Sequence, residues 1–145
     1  MKGVYVLILR LDNDTDIRTG GLGVLCFKKG YYAYVGSALG AGGFKRVTRH
    51  FDVASGKNST RKWHIDYLLP HSEVICAVFS PTDDALECIV AKILGEFSGA
   101  IQGFGCSDCT CESHLFFTGG NIMDEASHIC EGVSGNESII IYPNM

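Results

Sequence analysis

No apolar run in the chain approaches the ~20 residues that a membrane-spanning helix needs, and the first one stops at Arg10 after about six residues. That length suits a strand and is too short for the core of a secretion signal, so neither a spanning segment nor a secreted protein is expected. Internal repeats, low-complexity tracts and a convincing linker are also lacking, which makes a single domain the expected organisation of residues 1–145. An even set of cysteines is missing too. There are seven, Cys26, Cys76, Cys88, Cys106, Cys109, Cys111 and Cys130, and without a secretion signal they read as thiols of a reducing, cytoplasmic compartment, not as a disulfide framework.

Positive charge is almost absent from the second half. Beyond Lys62 only Lys92 is cationic, against twelve acids, whereas up to Lys62 eleven cations face four acids, giving +7 followed by −11 within an overall −4. Screening confines charge effects to roughly 8 Å, so a basic face that binds phosphates can exist on an acidic protein. With 46% of its residues hydrophobic the chain can bury a core of its own.

The pattern of elements predicts an α+β fold built on a small antiparallel sheet. Residues 4–11 read as a strand, and 12–16 as a polar turn. That turn is not a calcium loop, because Ile17 stands where the loop needs glycine and the bidentate glutamate is missing. Residues 22–27 and 31–35 are strand-like, and Lys28-Lys29-Gly30 between them suits a hairpin, so the three segments are expected to form a three-stranded core. From Phe44 the spacing of Phe44, Val47 and Phe51 predicts a helix with Lys45, Arg46, Arg49 and His50 on its other sides. A short helix ended by Pro70, a strand over 74–79, and a helix opened by Asp83-Asp84 with Leu86, Ile89, Val90, Ile93, Leu94 and Phe97 as its apolar stripe follow. Residues 114–117 and 137–142 read as further strands, separated by a weakly patterned stretch.

Polar groups recur where apolar surface should continue: Tyr5, Tyr34, Arg46 with His50, and Glu87. Phosphodiester hydrolysis needs a base for the attacking water, charge stabilisation at phosphorus and help for the leaving oxygen. A tyrosine or His50 can take the proton, Arg46 can neutralise nonbridging oxygens, and Glu87 can hold Mg²⁺ or Mn²⁺. Each tyrosine taken alone is more often structural.

Gly3-Val4-Tyr5 and Tyr34-Val35-Gly36-Ser37-Ala38, followed by Phe44-Lys45-Arg46-Val47-Thr48-Arg49-His50-Phe51, resemble the signature of the GIY-YIG nucleases over roughly residues 1 to 100. The resemblance implies a metal-dependent endonuclease acting on DNA. By it Tyr5 and Tyr34 are the signature tyrosines, Arg46 the catalytic arginine, His50 its helical companion, Glu87 the metal ligand, and His64 a further active-site histidine. It leaves open which tyrosine is the base. Three departures stand out: residues 12–30 separate the half-signatures, residues 39–43 lengthen the loop before the helix, and Gly105 stands where an asparagine is frequent, with Ser107 or Asp108 as substitutes. The blocks Trp63-His64-Ile65-Asp66-Tyr67-Leu68-Leu69 and Gly103-Phe104-Gly105-Cys106-Ser107-Asp108-Cys109-Thr110-Cys111-Glu112-Ser113-His114-Leu115-Phe116 look like a small prokaryotic branch of that superfamily. Some members of the branch resemble partners of base-excision DNA glycosylases, which implies DNA repair, abasic DNA as a candidate substrate and a glycosylase as a candidate partner.

Phosphate contacts are expected from Lys45, Arg49, Lys57, Arg61 and Lys62, with Gly36 and Ser37 of the signature loop beside them. Trp63 either stacks on a base or, the commoner case, anchors the core. Cys106, Cys109, Cys111 and His114 hold enough soft donors for tetrahedral zinc, although their spacing is not that of a standard finger. The alternative is that these small thiols pack in a tight turn. A Cys109 nucleophile paired with His50 or His114 has less behind it, since nothing else suggests acyl transfer. The function classes that remain are a metal-dependent endonuclease and a noncatalytic binding module stabilised by zinc.

Overall fold

Nearly every residue of the first strand is apolar, and the reason is that it is covered on both faces. In the computed structural model, which describes residues 1–106 and 110–143, strand β1 (Gly3–Leu11) is central in a six-stranded antiparallel sheet. Its Tyr5, Leu7, Leu9 and Leu11 enter one core and its Val4, Val6 and Ile8 the other. Strand β4 (Gly30–Ala38) pairs with one edge of β1, and β5 (Glu73–Pro81) with the other. Outward from β4 lie β7 (Leu115–Phe117) and the two-residue β6 (Gly99–Ala100); outward from β5 lies β8 (Ile139–Ile141). The α+β class is as expected.

The expected three-stranded core is corrected in one member. Residues 22–27 do not join the main sheet: β3 (Val24–Phe27) pairs instead with β2 (Thr15–Arg18) in a separate two-stranded ribbon. The edges of β1 are already taken by β4 and β5, so β3 has no place beside it. Leu11 pairs directly with Gly30, which closes the base of the 12–29 excursion. Within the ribbon only Ile17 and Phe27 are buried, so Thr15 and Asp16, expected in a turn, are extended with the acid pointing outward.

Helix α1 (Lys45–Ser55) and the short α2 (His64–Leu68) cover the Tyr5 face. The start of α1 is tied to the chain start by the Phe44 N–H donating to the Met1 carbonyl at 2.7 Å, and Gly56, left-handed at φ 87°, ends it. Helix α3 (Glu87–Gly95) and helix α4 (Met123–Ser134) cover the opposite face. Helix α3 begins four residues after Asp83. The Asp84 N–H donates to Thr82 Oγ1 and holds that segment in a turn, which puts Glu87 in the first helical turn. The helix ends before Phe97, and Ile89 and Phe97 of the expected stripe are exposed. Helix α4 is the weakly patterned stretch. Among the described residues no helix is long and apolar enough to cross a membrane.

Candidate active site

Tyr5 and Gly36 face each other across β1 and β4, and that register places the two half-signatures side by side. A β-carbon on Gly36 would meet the Tyr5 ring carbon and hydroxyl at 2.3 Å, so the missing side chain is what lets the phenol lie across β4. Tyr34, two residues earlier, points to the same face. Both phenols are buried, and burial raises the pKa of each above its ordinary value of 10. The Arg46 guanidinium opposes that shift at both, and the Glu87 carboxylate adds to it. Both hydroxyls are therefore protonated at neutral pH.

The helix α1 residues do not form the cationic face their spacing suggests. His50 is 1% exposed, and burial pushes its pKa down to about 3, so it is neutral. Its Nε2 lies 2.7 Å from the Tyr5 hydroxyl, while Nδ1 finds no hydrogen-bond partner among the described residues. An orphaned buried N–H is rarer than an under-used acceptor, so the proton belongs on Nε2, which donates to the Tyr5 oxygen. Arg46 is anchored differently. Its Nη1 donates to the Ser37 carbonyl at 2.7 Å, and its guanidinium lies 4.6 Å from the centre of the Trp63 ring.

Arg49, expected among the phosphate contacts, is instead engaged within the protein. It makes a two-pronged pair with Asp66 at 2.9 and 3.0 Å, and Asp66, fully buried, also accepts the N–H groups of Lys62 and Trp63. These donors hold the Asp66 carboxyl below its usual range against the opposing effect of burial. Arg49 also lies 4.3 Å from the Trp63 ring centre and the Lys62 ammonium 5.2 Å from it, so three cations surround one indole. Asp66, which fastens this cluster, was not among the candidate residues. Its position three residues past Trp63, at the start of a helix, was the available signal.

Tyr5, Tyr34, Gly36, Ser37, Arg46, His50, Trp63 and Glu87 line one cleft of about 300 Å³, together with Leu39, Gly40, Gly105 and His114. Four separate elements thus deliver the polar set to one place: β1, β4, α1 and the first turn of α3. His64 is not in the lining. Its Nδ1 accepts the Gly105 N–H at 2.8 Å and its ring packs on Phe104, so it supports the loop that forms the wall. Gly105 (φ 75°) packs between the His114 and Tyr34 side chains. Lys45, Lys57, Arg61 and Lys62 are exposed and lie outside the lining. A larger groove of about 730 Å³ runs between α3 and residues 110–116, but its walls are mostly apolar and hold none of the converging tyrosine, histidine or arginine groups.

The cysteine block is rearranged relative to expectation. Cys111 and His114 come together with Cys88 of α3, their ligand atoms all within 4.8 Å of one another, and these three can hold a metal ion. Cys106 is outside that cluster and its thiol contacts the Phe104 carbonyl at 3.4 Å. Cys109, Ser107 and Asp108 lie outside the described residues. Cys88 was missed because only folding brings it near Cys111; its place next to Glu87 was the sole hint.

Fold and cleft together define an α+β protein in which two buried phenols, a guanidinium and a carboxylate converge on one cleft beside the interior strands β1 and β4. The chain belongs to the family described as Domain of unknown function DUF123, whose model matches residues 4–134. No curated protein and no solved structure matches the chain significantly.

Proposed function

We propose that the protein is a GIY-YIG-type endonuclease that hydrolyses a phosphodiester bond in DNA with the help of one divalent cation. The observation that carries this reading is the convergence of Tyr5, Tyr34, Arg46, His50 and Glu87 on one cleft of about 300 Å³, near the lower end of the size range for ligand sites. Arg46, held by Ser37 and Trp63, keeps its other donors for the nonbridging oxygens, where charge grows in the transition state. Tyr5 takes the role of base. Its oxygen accepts the His50 N–H and has the Arg46 cation beside it, and these two groups oppose the burial that keeps the phenol protonated. Tyr34 stays protonated and donates to the phosphate. Glu87 would hold Mg²⁺ or Mn²⁺, the oxygen ligand such hard ions prefer, and the ion when bound supplies Lewis-acid stabilisation to the phosphate. The exposed Lys45, Lys57, Arg61 and Lys62 give the flanking backbone a cationic approach.

Incubating the protein with intact, nicked, branched and abasic duplexes, with and without Mg²⁺, tests the reading. Cutting that requires Mg²⁺ and falls by about 10²–10³-fold in Arg46→Ala supports it, as does its loss in Glu87→Ala. Cutting that survives both substitutions rejects the site. Preference for the abasic duplex favours lesion repair, and a DNA glycosylase is then the partner to add to the assay. The second reading, a binding module without catalysis, draws on the Cys88, Cys111 and His114 cluster; binding of the same duplexes with no cutting selects it.

A further inference from the structure

Two thiols and an imidazole from well-separated parts of the chain meet beside the cleft. Cys88 stands in the first turn of α3, and Cys111 and His114 lie on the segment leading into β7. Cys88 Sγ is 3.9 Å from His114 Nε2, and all three ligand atoms lie within 4.8 Å of one another. In tetrahedral zinc sites, with Zn–S near 2.3 Å and Zn–N near 2.0–2.1 Å, neighbouring ligands stand about 3.6–3.8 Å apart. The three atoms thus need to close by only about an ångström at most to surround one ion. Two thiolates with an imidazole are a soft donor set, which suits zinc and not the hard cation assigned to Glu87. A helix N-terminus also favours the thiolate form that a metal requires.

We propose that Cys88, Cys111 and His114 ligate one zinc ion, and that this ion clamps the first turn of α3 to the segment before β7. The arrangement explains why these residues sit where they do. Glu87 is the immediate neighbour of Cys88, and it lines the cleft together with His114, while Cys88 and Cys111 line the adjoining 730 Å³ groove. The ion therefore occupies the wall between the two hollows and fixes the direction in which Glu87 enters the cleft. Binding displaces the thiol protons to solvent and involves no redox change. The zinc site holds whether or not the cleft cuts DNA, and all its readouts are taken on DNA-free protein.

Protein purified without chelator is analysed for metal, then stripped and titrated with Zn²⁺ and Co²⁺ against a chromophoric competitor. The expected result is one zinc per chain, with a Co²⁺ form showing thiolate charge-transfer absorption and the strong visible bands of a tetrahedral site. Cys88→Ser is expected to weaken zinc binding by more than about 100-fold, beyond the cost of losing a supporting group. If that variant fails to fold, Cys88→His keeps a ligand and is expected to bind with reduced charge-transfer intensity. Removing zinc from the unmodified chain is expected to raise amide hydrogen exchange over residues 87–90 and 112–115. Absence of zinc uptake, iron or copper in its place, unchanged affinity and spectrum in the Cys88 variants, or unchanged exchange on metal removal would each overturn the proposal.

Discussion

The Tyr5 phenol crosses the backbone of Gly36, where a β-carbon would stand 2.3 Å from its ring carbon and its oxygen. One half of the signature therefore needs the other to end in glycine. Gly36 is paired with Tyr5 in an interior strand, so the backbone cannot move aside without breaking the ladder. Gly36→Ala is expected to push the phenol off His50 and to destabilise the protein by roughly 2 kcal/mol or more, the usual cost of overfilling a packed site. Chemical denaturation of Gly36→Ala beside Gly40→Ala, where nothing lies within 4 Å of the added carbon, measures this. Equal stability of the two variants would show that the contact is not restrictive.

Asp66 is fully buried and its two oxygens accept four N–H groups, two from Arg49 and two from the backbone at Lys62 and Trp63. Removing the acid strands all four donors and leaves the Arg49 charge half-buried. Asp66→Ala is expected to cost about 3 kcal/mol, at the low end for a broken buried pair because Arg49 keeps some contact with water. The Trp63 ring, no longer pinned between its cations, should gain mobility, read as a red shift and stronger quenching of its fluorescence in the native state. Arg49→Met, which removes the charge and keeps the stem, should be the milder change.

Each residue of the cleft, taken alone, is an ordinary occupant of a strand or helix. The set was legible in the sequence through its order along the chain and the resemblance of its two half-signatures, and the fold brings it to one cleft. Tyr5, Tyr34, Arg46 and Glu87 could be picked out without knowing how the strands pair. What could not be read was direction. The i, i+4 spacing of Arg46 and His50 says that they share a helical side, but not that this side meets the sheet, where His50 becomes neutral and Arg46 reaches the Ser37 carbonyl of β4. Arg49 looked like a phosphate contact because its partner, Asp66, becomes adjacent only on folding. The ribbon of β2 and β3 was obscured by the run Asp12, Asp14 and Asp16, since the two short strands bury only Ile17 and Phe27, and Asp16 within them points to water. Helix α4 escaped notice although Ile122, Ala126, Ile129, Cys130 and Val133 follow a helical period and pack on the core. Gly132 and the interleaved Ser127, His128 and Ser134 diluted that signal.

His50 makes acid stability a specific readout of the burial of its imidazole. Its folded pKa, about 3, lies below the value of 6.5 expected when unfolded, because burial disfavours the imidazolium. At neutral pH both states are uncharged and the group costs nothing. As the pH falls below 6.5 the unfolded chain takes up a proton that the folded chain refuses, so stability is full above that pH and declines progressively down to about 3. Each pH unit in this window is worth about 1.4 kcal/mol, so roughly 2 kcal/mol should be lost between pH 7 and pH 5 from this histidine alone. His64 and His114 shift in the same direction through burial, and Asp66 adds its own loss only at lower pH, near the carboxylate range. The comparison that isolates His50 is therefore with His50→Gln, which fills the same space and can still bond to the Tyr5 hydroxyl but takes up no proton. Urea denaturation at pH 7 and pH 5 should show the unmodified chain losing about 2 kcal/mol more than the variant; parallel losses would mean that the imidazole is solvated and able to titrate in the folded protein.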